Sequence, residues 1–277
     1  MGIKSILAVV SGQESAESLA SGFGLARRLE AYVDALHVRA DPREAVPVLA
    51  EVMKNTERPA LRVAAIDALG KIGPDARVAA PYLLTLVKDP STQVRNLAVD
   101  ALSRIGADPK EAGPVLVEAL RNPGQISPNL LSTALAKLGP AVIPEVATML
   151  KDPKPSVRAQ GAALLGRYGA AAKEAVPALT EALKDDQAVV AIQAARALWE
   201  IDQSLAGVPT LVKALGSASG SVRGLAATTL GGIGPKARDA VPALLTAAKD
   251  NDPRLRQAAR SALEKIDPEA AKRLDNM

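Results

Sequence analysis

The chain has 277 residues, with 34 basic and 30 acidic side chains, a net charge of +4, and a hydrophobic content of 48% of which aromatics supply almost nothing. The absence of cysteine excludes disulfides, thiolate metal sites and a cysteine nucleophile, and makes the cytoplasm the default compartment. Charges of both signs alternate along the chain, so nucleic acid is disfavoured as a partner. Burial must rest on small aliphatic residues in thin layers, which favours helix packed on helix.

The first predicted elements are a strand over Ile3 to Val10, a helix from about Glu14 to Glu30 and a second strand over Tyr32 to Val38. The opening apolar run is too short for a signal peptide or a membrane span, and no later apolar stretch reaches the roughly 20 residues of a spanning helix. The residues Ile-Lys-Ser-Ile-Leu-Ala-Val-Val-Ser-Gly, followed by Leu-Ala-Arg-Arg-Leu-Glu-Ala and Asp-Ala-Leu-His-Val, resemble the start of the universal stress protein family over residues 1–42. That family holds its nucleotide on a later glycine-rich loop, which this chain lacks, so the resemblance implies a βαβ fragment without nucleotide. Such a unit has open strand edges. It either caps the next domain or pairs its edge with another copy or another protein.

His37 is the only histidine in the chain. It lacks the partner ligands of a metal site and reads as a strand side chain at a seam. Ser11 to Ser15 offers a helix cap rather than a phosphate cradle.

From residue 43 a repeat takes over. Pro47, Pro81, Pro114, Pro144, Pro177, Pro209 and Pro242 are spaced by 34, 33, 30, 33, 32 and 33 residues. Each is predicted to open a first helix, where its missing N–H loses nothing. Apolar residues follow at helical spacing, as in Leu179 with Leu183. A turn such as Lys-Asp-Pro ends that helix, and a second follows with the pattern Val-Arg-x-x-Ala-x-x-Ala-Leu-x-x-Ile-Gly, with Gly73, Gly106, Gly139, Gly169 and Gly234 as left-handed terminators. A two-helix unit cannot bury its apolar stripe alone, so successive units must stack.

The motifs Ala-Val-Pro-x-Leu, Lys-Asp and Val-Arg-x-x-Ala resemble the HEAT-repeat family, in particular its short-repeat branch that includes phycobilisome lyase subunits, over residues 43–277. The resemblance implies a mostly α fold: a right-handed α-solenoid of about seven helical hairpins behind the short βαβ unit. It implies a binding scaffold rather than an enzyme, for a protein or peptide on the concave face. An accessory subunit of a bilin lyase and a nucleic-acid binder are the alternatives. In such stacks the second helices line the concave surface. Their variable positions here are Val63, Ile66, Asp67, Asn96, Val99, Asp100, Ser132, Thr133, Ile192, Arg196, Trp199, Thr228, Arg260 and Glu264, a mixture suited to protein recognition.

A second set of residues recurs once per layer. Arg62, Arg95, Arg158, Arg223 and Arg256 share one place, and Asp89, Asp152 and Asp250 each stand six residues before one of them. That periodicity predicts a structural ladder, with the arginines pairing with turn aspartates of the same or adjacent layers, rather than a catalytic or anion-binding array. Asp185 and Asp186 sit in a turn with no apolar pocket to raise a pKa, so acid–base catalysis is not expected, nor is any cofactor or metal.

Two repeats depart from the pattern. The third has Pro128 in the arginine place and is shorter, which predicts a weak joint. The fifth has Ala191 there and carries Trp199 where the other layers have Gly70, Ser103, Ala136, Gly166, Gly231 and Glu264. Small residues at that place predict a position facing outward, with the ring either meeting a partner or filling a local gap.

Overall fold

The computed structural model describes residues 45–55, 59–122, 124 and 126–275. The expected βαβ unit, with His37, the Ser11 turn and the strand edge offered for self-association, lies outside them. The described residues are helical and contain no strand. They fall into two compact units that divide between Val142 and Ile143.

The first unit holds three hairpins: α1 (Val46–Asn55) with α2 (Pro59–Ile72), α3 (Ala80–Leu86) with α4 (Thr92–Ile105), and α5 (Pro109–Arg121) with α6 (Pro128–Leu138). The second unit holds four: α7 (Ile143–Thr148) with α8 (Pro155–Arg167), α9 (Val176–Ala182) with α10 (Ala188–Asp202), α11 (Val208–Leu215) with α12 (Gly220–Ile233), and α13 (Val241–Ala247) with α14 (Pro253–Ile266), closed by α15 (Pro268–Asp275). Within each unit the second helices pack side by side, α2 on α4 on α6 and α8 on α10 on α12 on α14.

The core is built as the composition requires. Leu69, Leu102, Leu135, Leu165, Leu198, Leu230 and Leu263, one per second helix, are fully buried. Each such leucine contributes on the order of 2 kcal/mol by leaving water, and the small residues between them let the layers close.

The chain punctuation follows physical rules. The five glycines expected to end second helices all have positive φ, from 54° at Gly169 to 83° at Gly139, a region that disfavours any side chain. In the fifth repeat Gln203 takes that conformation instead, at φ 58°.

One expectation is corrected. Pro81, Pro177 and Pro242 stand in the first turn of their helices as expected, each helix being led in by a 3₁₀ turn, over Gly73–Ala79, Gly169–Ala175 and Gly234–Ala240. Pro114 opens nothing: it lies inside α5, which starts at Pro109 on an Asp108 cap whose carboxylate accepts from the Lys110 N–H at 2.9 Å. Capping by Asp108 and proline at the first position shift this helix start upstream.

Candidate functional site

The ladder is the most regular feature of the molecule. Nη1 of Arg95, Arg158, Arg223 and Arg256 donates to the backbone carbonyls six and five residues earlier, at 2.6 and 2.9, 3.0 and 3.2, 3.0 and 3.2, and 2.7 and 3.0 Å respectively. Each arginine thereby ties the first turn of its second helix to the interhelix turn before it. The guanidinium also reaches forward into the next layer. Arg62 donates to Asp89 at 3.3 Å, Arg158 to both oxygens of Asp185 at 2.7 and 2.9 Å, and Arg223 to Asp250 at 3.5 Å.

The turn aspartates have a second task. Their carboxylates accept the N–H two residues on: Ser91 for Asp89, Lys154 for Asp152, Gln187 for Asp185 and Asp252 for Asp250, all at 2.8 or 2.9 Å. An arginine of the ladder uses the backbone of the residue six before it and, in three layers, the carboxylate of the following layer, because the fork of the guanidinium spans both turns. The Arg158 rung is the most enclosed. Its hydrogen bond to Asp185 raises the arginine's pKa, and the same bond, helped by the Gln187 N–H, lowers that of Asp185.

The rule for helix approach is just as regular. A Cβ added to Gly70 would lie 3.4 Å from Cα of Ala101 on α4; at Gly166, 3.1 Å from Cα of Ala197 on α10; at Gly231, 3.0 Å from Cα of Ala262 on α14. The eighth residue after the arginine place thus faces the next second helix at near-backbone contact. It does not face outward, and that expectation is corrected: glycine is there for close packing.

At the junction of α10 with α12 both rules change together. Trp199 stands in the glycine place, and the alanine opposite becomes Thr229, a buried polar residue whose hydroxyl donates to the Leu225 carbonyl at 2.8 Å. The ring holds the two helices apart, and they touch along a shorter line than α8 with α10 or α12 with α14. A depression of about 350 Å³ opens there, lined by Arg196, Trp199, Glu200, Leu225, Thr228 and Lys265 among others. Trp199 is half-buried against the aliphatic core. The Nζ of Lys236 lies 5.3 Å from the ring centroid and donates to Gln203 Oε1 at 2.8 Å. A second depression of about 540 Å³ between α12 and α14 shares Thr228 and Lys265 with the first and continues past Arg254, Gln257 and Ser261.

The predicted partner-facing residues divide into four groups. Trp199, Arg196 and Thr228 come together at the depression. Arg260, Glu264 and Thr133 are exposed without lining it; Val63, Asp67, Asn96, Asp100 and Ser132 are half-buried in the first unit. Ile66, Val99 and Ile192 are fully buried core residues; their places turn toward the hairpin interior, and they belong to no surface. Glu200, Leu225, Thr229 and Lys265 were missed, although the one-turn spacing of Arg196 and Glu200 flanking Trp199 could have flagged the first. Among the described residues no cluster of His, Asp or Glu is arranged to hold a metal, and no single helix is long and apolar enough to cross a membrane.

Stacked two-helix repeats, joined by side-by-side second helices and an arginine ladder, define the class of α-solenoid repeat proteins. The model of HEAT repeats matches residues 47–126, 130–203 and 208–275, and the chain belongs to that family. No curated protein matches it in sequence. Among solved structures it is similar to the karyopherin Kap121p bound to the SUMO protease Ulp1p, with 17% identity, 99% of this chain and 35% of that chain covered, and a TM-score of 0.61. It is likewise similar to Kap121p bound to Pho4p, with 16% identity, coverages of 99% and 35%, and a TM-score of 0.61. Kap121p bound to Nup53p gives 17% identity, coverages of 94% and 34%, and a TM-score of 0.60. The chain thus spans about a third of the length of these karyopherins, and the likeness is one of fold.

Proposed function

We propose that this HEAT-repeat chain is a non-catalytic scaffold that binds a protein segment across the exposed stripe of its second helices, centred on Trp199 at the α10–α12 junction. The observation that carries this reading is the replacement of a packing glycine by a half-buried tryptophan beside an open depression. A large ring with one face on a firm core and the other reachable is the kind of anchor that dominates protein interfaces. The rim is mixed: Arg196 pairs with Glu200 at 2.7 Å, and Lys265 stands across from them.

The charge pattern favours protein over nucleic acid. Asp67 pairs with Lys71 at 3.0 Å, and Asp100 with Arg104 at 2.8 Å, so much of the second-helix charge is neutralised within its own helix. The similar karyopherin structures hold Nup53p, Pho4p or the SUMO protease Ulp1p, which is in keeping with this use of the fold.

Trp199 is the chain's only tryptophan, so its fluorescence reads the site directly. The test captures partners on the native chain, maps them by cross-linking to α10 and α12, and repeats the binding with Trp199→Ala. Loss of about 2 kcal/mol in affinity, roughly 30-fold, with a shift of Trp199 emission on binding of the native chain, is expected. Undiminished binding by the variant, or recovery of nucleic acid or a tetrapyrrole as the only ligand, would overturn the proposal.

A further inference from the structure

The same α10–α12 junction lacks a rung of the ladder. Ala191 occupies the arginine place of the fifth repeat, and the turn position of the sixth layer, aspartate at 89, 152, 185 and 250, is Ser217. Both ends of the rung are replaced together. In four other layers a guanidinium sits on the two carbonyls of the preceding turn. Here the equivalent carbonyls belong to Asp185 and Asp186, and among the described residues neither accepts a hydrogen bond.

The space the arginine would fill is open. A cavity of about 720 Å³ is lined by Asp185, Asp186, Ala191, Thr210, Lys213 and Ser217, with Lys184 at its rim. Asp185 is taken up by Arg158, but Asp186 is largely exposed, and its only ion pair among the described residues is from Oδ1 to Arg158 Nη2 at 3.3 Å. Its Oδ2 is therefore available. The turn is otherwise held as in the other layers, since the Gln187 N–H donates to Asp185, and Ser217 reproduces the motif by accepting from the Ser219 N–H at 3.2 Å. The carbonyl acceptors of the rung are in place, whereas its arginine and its forward carboxylate are both missing.

We propose that this gap is a socket for the guanidinium group of an arginine carried by a protein partner, which completes in trans the rung that the neighbouring layers complete in cis. Two carbonyl oxygens and the Asp186 carboxylate present acceptors to a planar group with five donors, a match that a lysine ammonium makes less well. The lysines set the opposing charge. Lys184 is tied to Glu181 at 3.0 Å, whereas Lys213 has no ion pair among the described residues. That the arginine comes from a protein rests on the scaffold reading above; the socket itself does not.

The test therefore uses a small probe. N-acetyl-L-arginine methylamide is titrated into the full ¹⁵N-labelled chain, with the lysine analogue as control. Saturable shifts confined to residues 185–191 and 210–217 are expected for the arginine probe, with the lysine analogue several-fold weaker. Asp186→Asn should weaken binding about fivefold and Lys213→Ala should strengthen it by a similar factor, the scale of a partly exposed charge pair. Ala191→Arg, which fills the socket from within, should abolish the shifts. Combined with Ser217→Asp it should raise the melting temperature by rebuilding the rung. Scattered shifts, equal binding of the lysine analogue, binding retained by Ala191→Arg, or a double variant that melts lower than the native chain would each overturn the proposal. Weaker binding in Lys213→Ala would show an anion site instead and overturn it as well. None of these results depends on Trp199, so the scaffold proposal stands or falls separately.

Discussion

On its α8 side, α10 presents Ala197 to Gly166 at near-backbone distance, and the layer is cross-tied by Arg158 on Asp185. On its α12 side the same helix presents Trp199 to Thr229, and the tie is replaced by Ala191 and Ser217. One helix is thus locked on one flank and held off on the other. The substitutions at the loose flank come in matched pairs, glycine with alanine becoming tryptophan with threonine, and arginine with aspartate becoming alanine with serine. Random decay of a repeat would leave orphans, such as an aspartate without its arginine or an unsatisfied buried threonine. Neither occurs here, because Thr229 is satisfied by its own helix and Asp185 by Arg158. The difference teaches that close packing and ion pairing go together on the tight flank of α10, and that both are suspended together on the flank where the binding surface is proposed.

The comparison is most sharply broken by placing bulk at the tight flank. Gly166→Leu would drive a side chain into Ala197 and Glu200, where even a Cβ is crowded. A loss of about 3 kcal/mol is expected from such overpacking, measured as a fall in the urea midpoint. Trp199→Ala at the loose flank should cost less, about 2 kcal/mol, since only one face of the ring leaves the core and a fully buried ring costs roughly 3 to 5. Equal costs for the two variants would mean that the flanks are packed alike and would remove the contrast.

How much of this was legible in the sequence follows from what repeats. Once-per-layer features could be read: the hairpins, the left-handed glycines and the arginine–aspartate ladder all recur, and recurrence distinguishes structure from accident. The partners within the ladder were legible only as aspartates of the same or an adjacent layer; which atoms serve is decided by the fold, which brings the turn 27 residues ahead within reach of Arg158. The face of the eighth position was misread for a related reason: a glycine row is equally consistent with an open surface and with a helix pressed against it. Only the distance from Gly166 to Ala197 separates the two. Ile66, Val99 and Ile192 were placed outward because variability was used as a sign of exposure, whereas interchangeable aliphatic residues also fill thin cores.

The locked flank should also carry the acid sensitivity. Asp185 has a folded pKa below its ordinary value, held there first by Arg158 and then by the Gln187 N–H. A depressed carboxylate stabilises the folded chain above its unfolded pKa of about 4, and that contribution disappears as the pH falls through the folded value. Stability should therefore drop below about pH 4, and Asp185→Asn should flatten this part of the profile while lowering the neutral-pH plateau. An unchanged acid limb in the variant would show that the Arg158 rung is not what acid breaks.

The smallest effect separates the two ends of α10's neighbourhood. Helix α8 is followed at Gly169 by a left-handed residue with φ 54°, and α10 ends on Gln203 with φ 58°, the only non-glycine at positive φ among the described residues. A side chain in that region costs about 1 kcal/mol relative to glycine, so Gln203 is retained at a penalty. Its amide oxygen accepts from Lys236 at 2.8 Å, and Lys236 is the cation over the Trp199 ring. The strain thus holds a lysine in place at the candidate site. Gln203→Gly should raise stability by about 0.5 kcal/mol, the relief of the backbone less the exposed hydrogen bond, and should free Lys236 to leave the ring, which the Trp199 emission would register. Gly169→Gln, the reciprocal change at the locked flank, should lose about 1 kcal/mol with no compensating contact. If Gln203→Gly destabilises the chain, the Lys236 contact outweighs the backbone strain, and the loose flank is held by that lysine more firmly than its open packing implies.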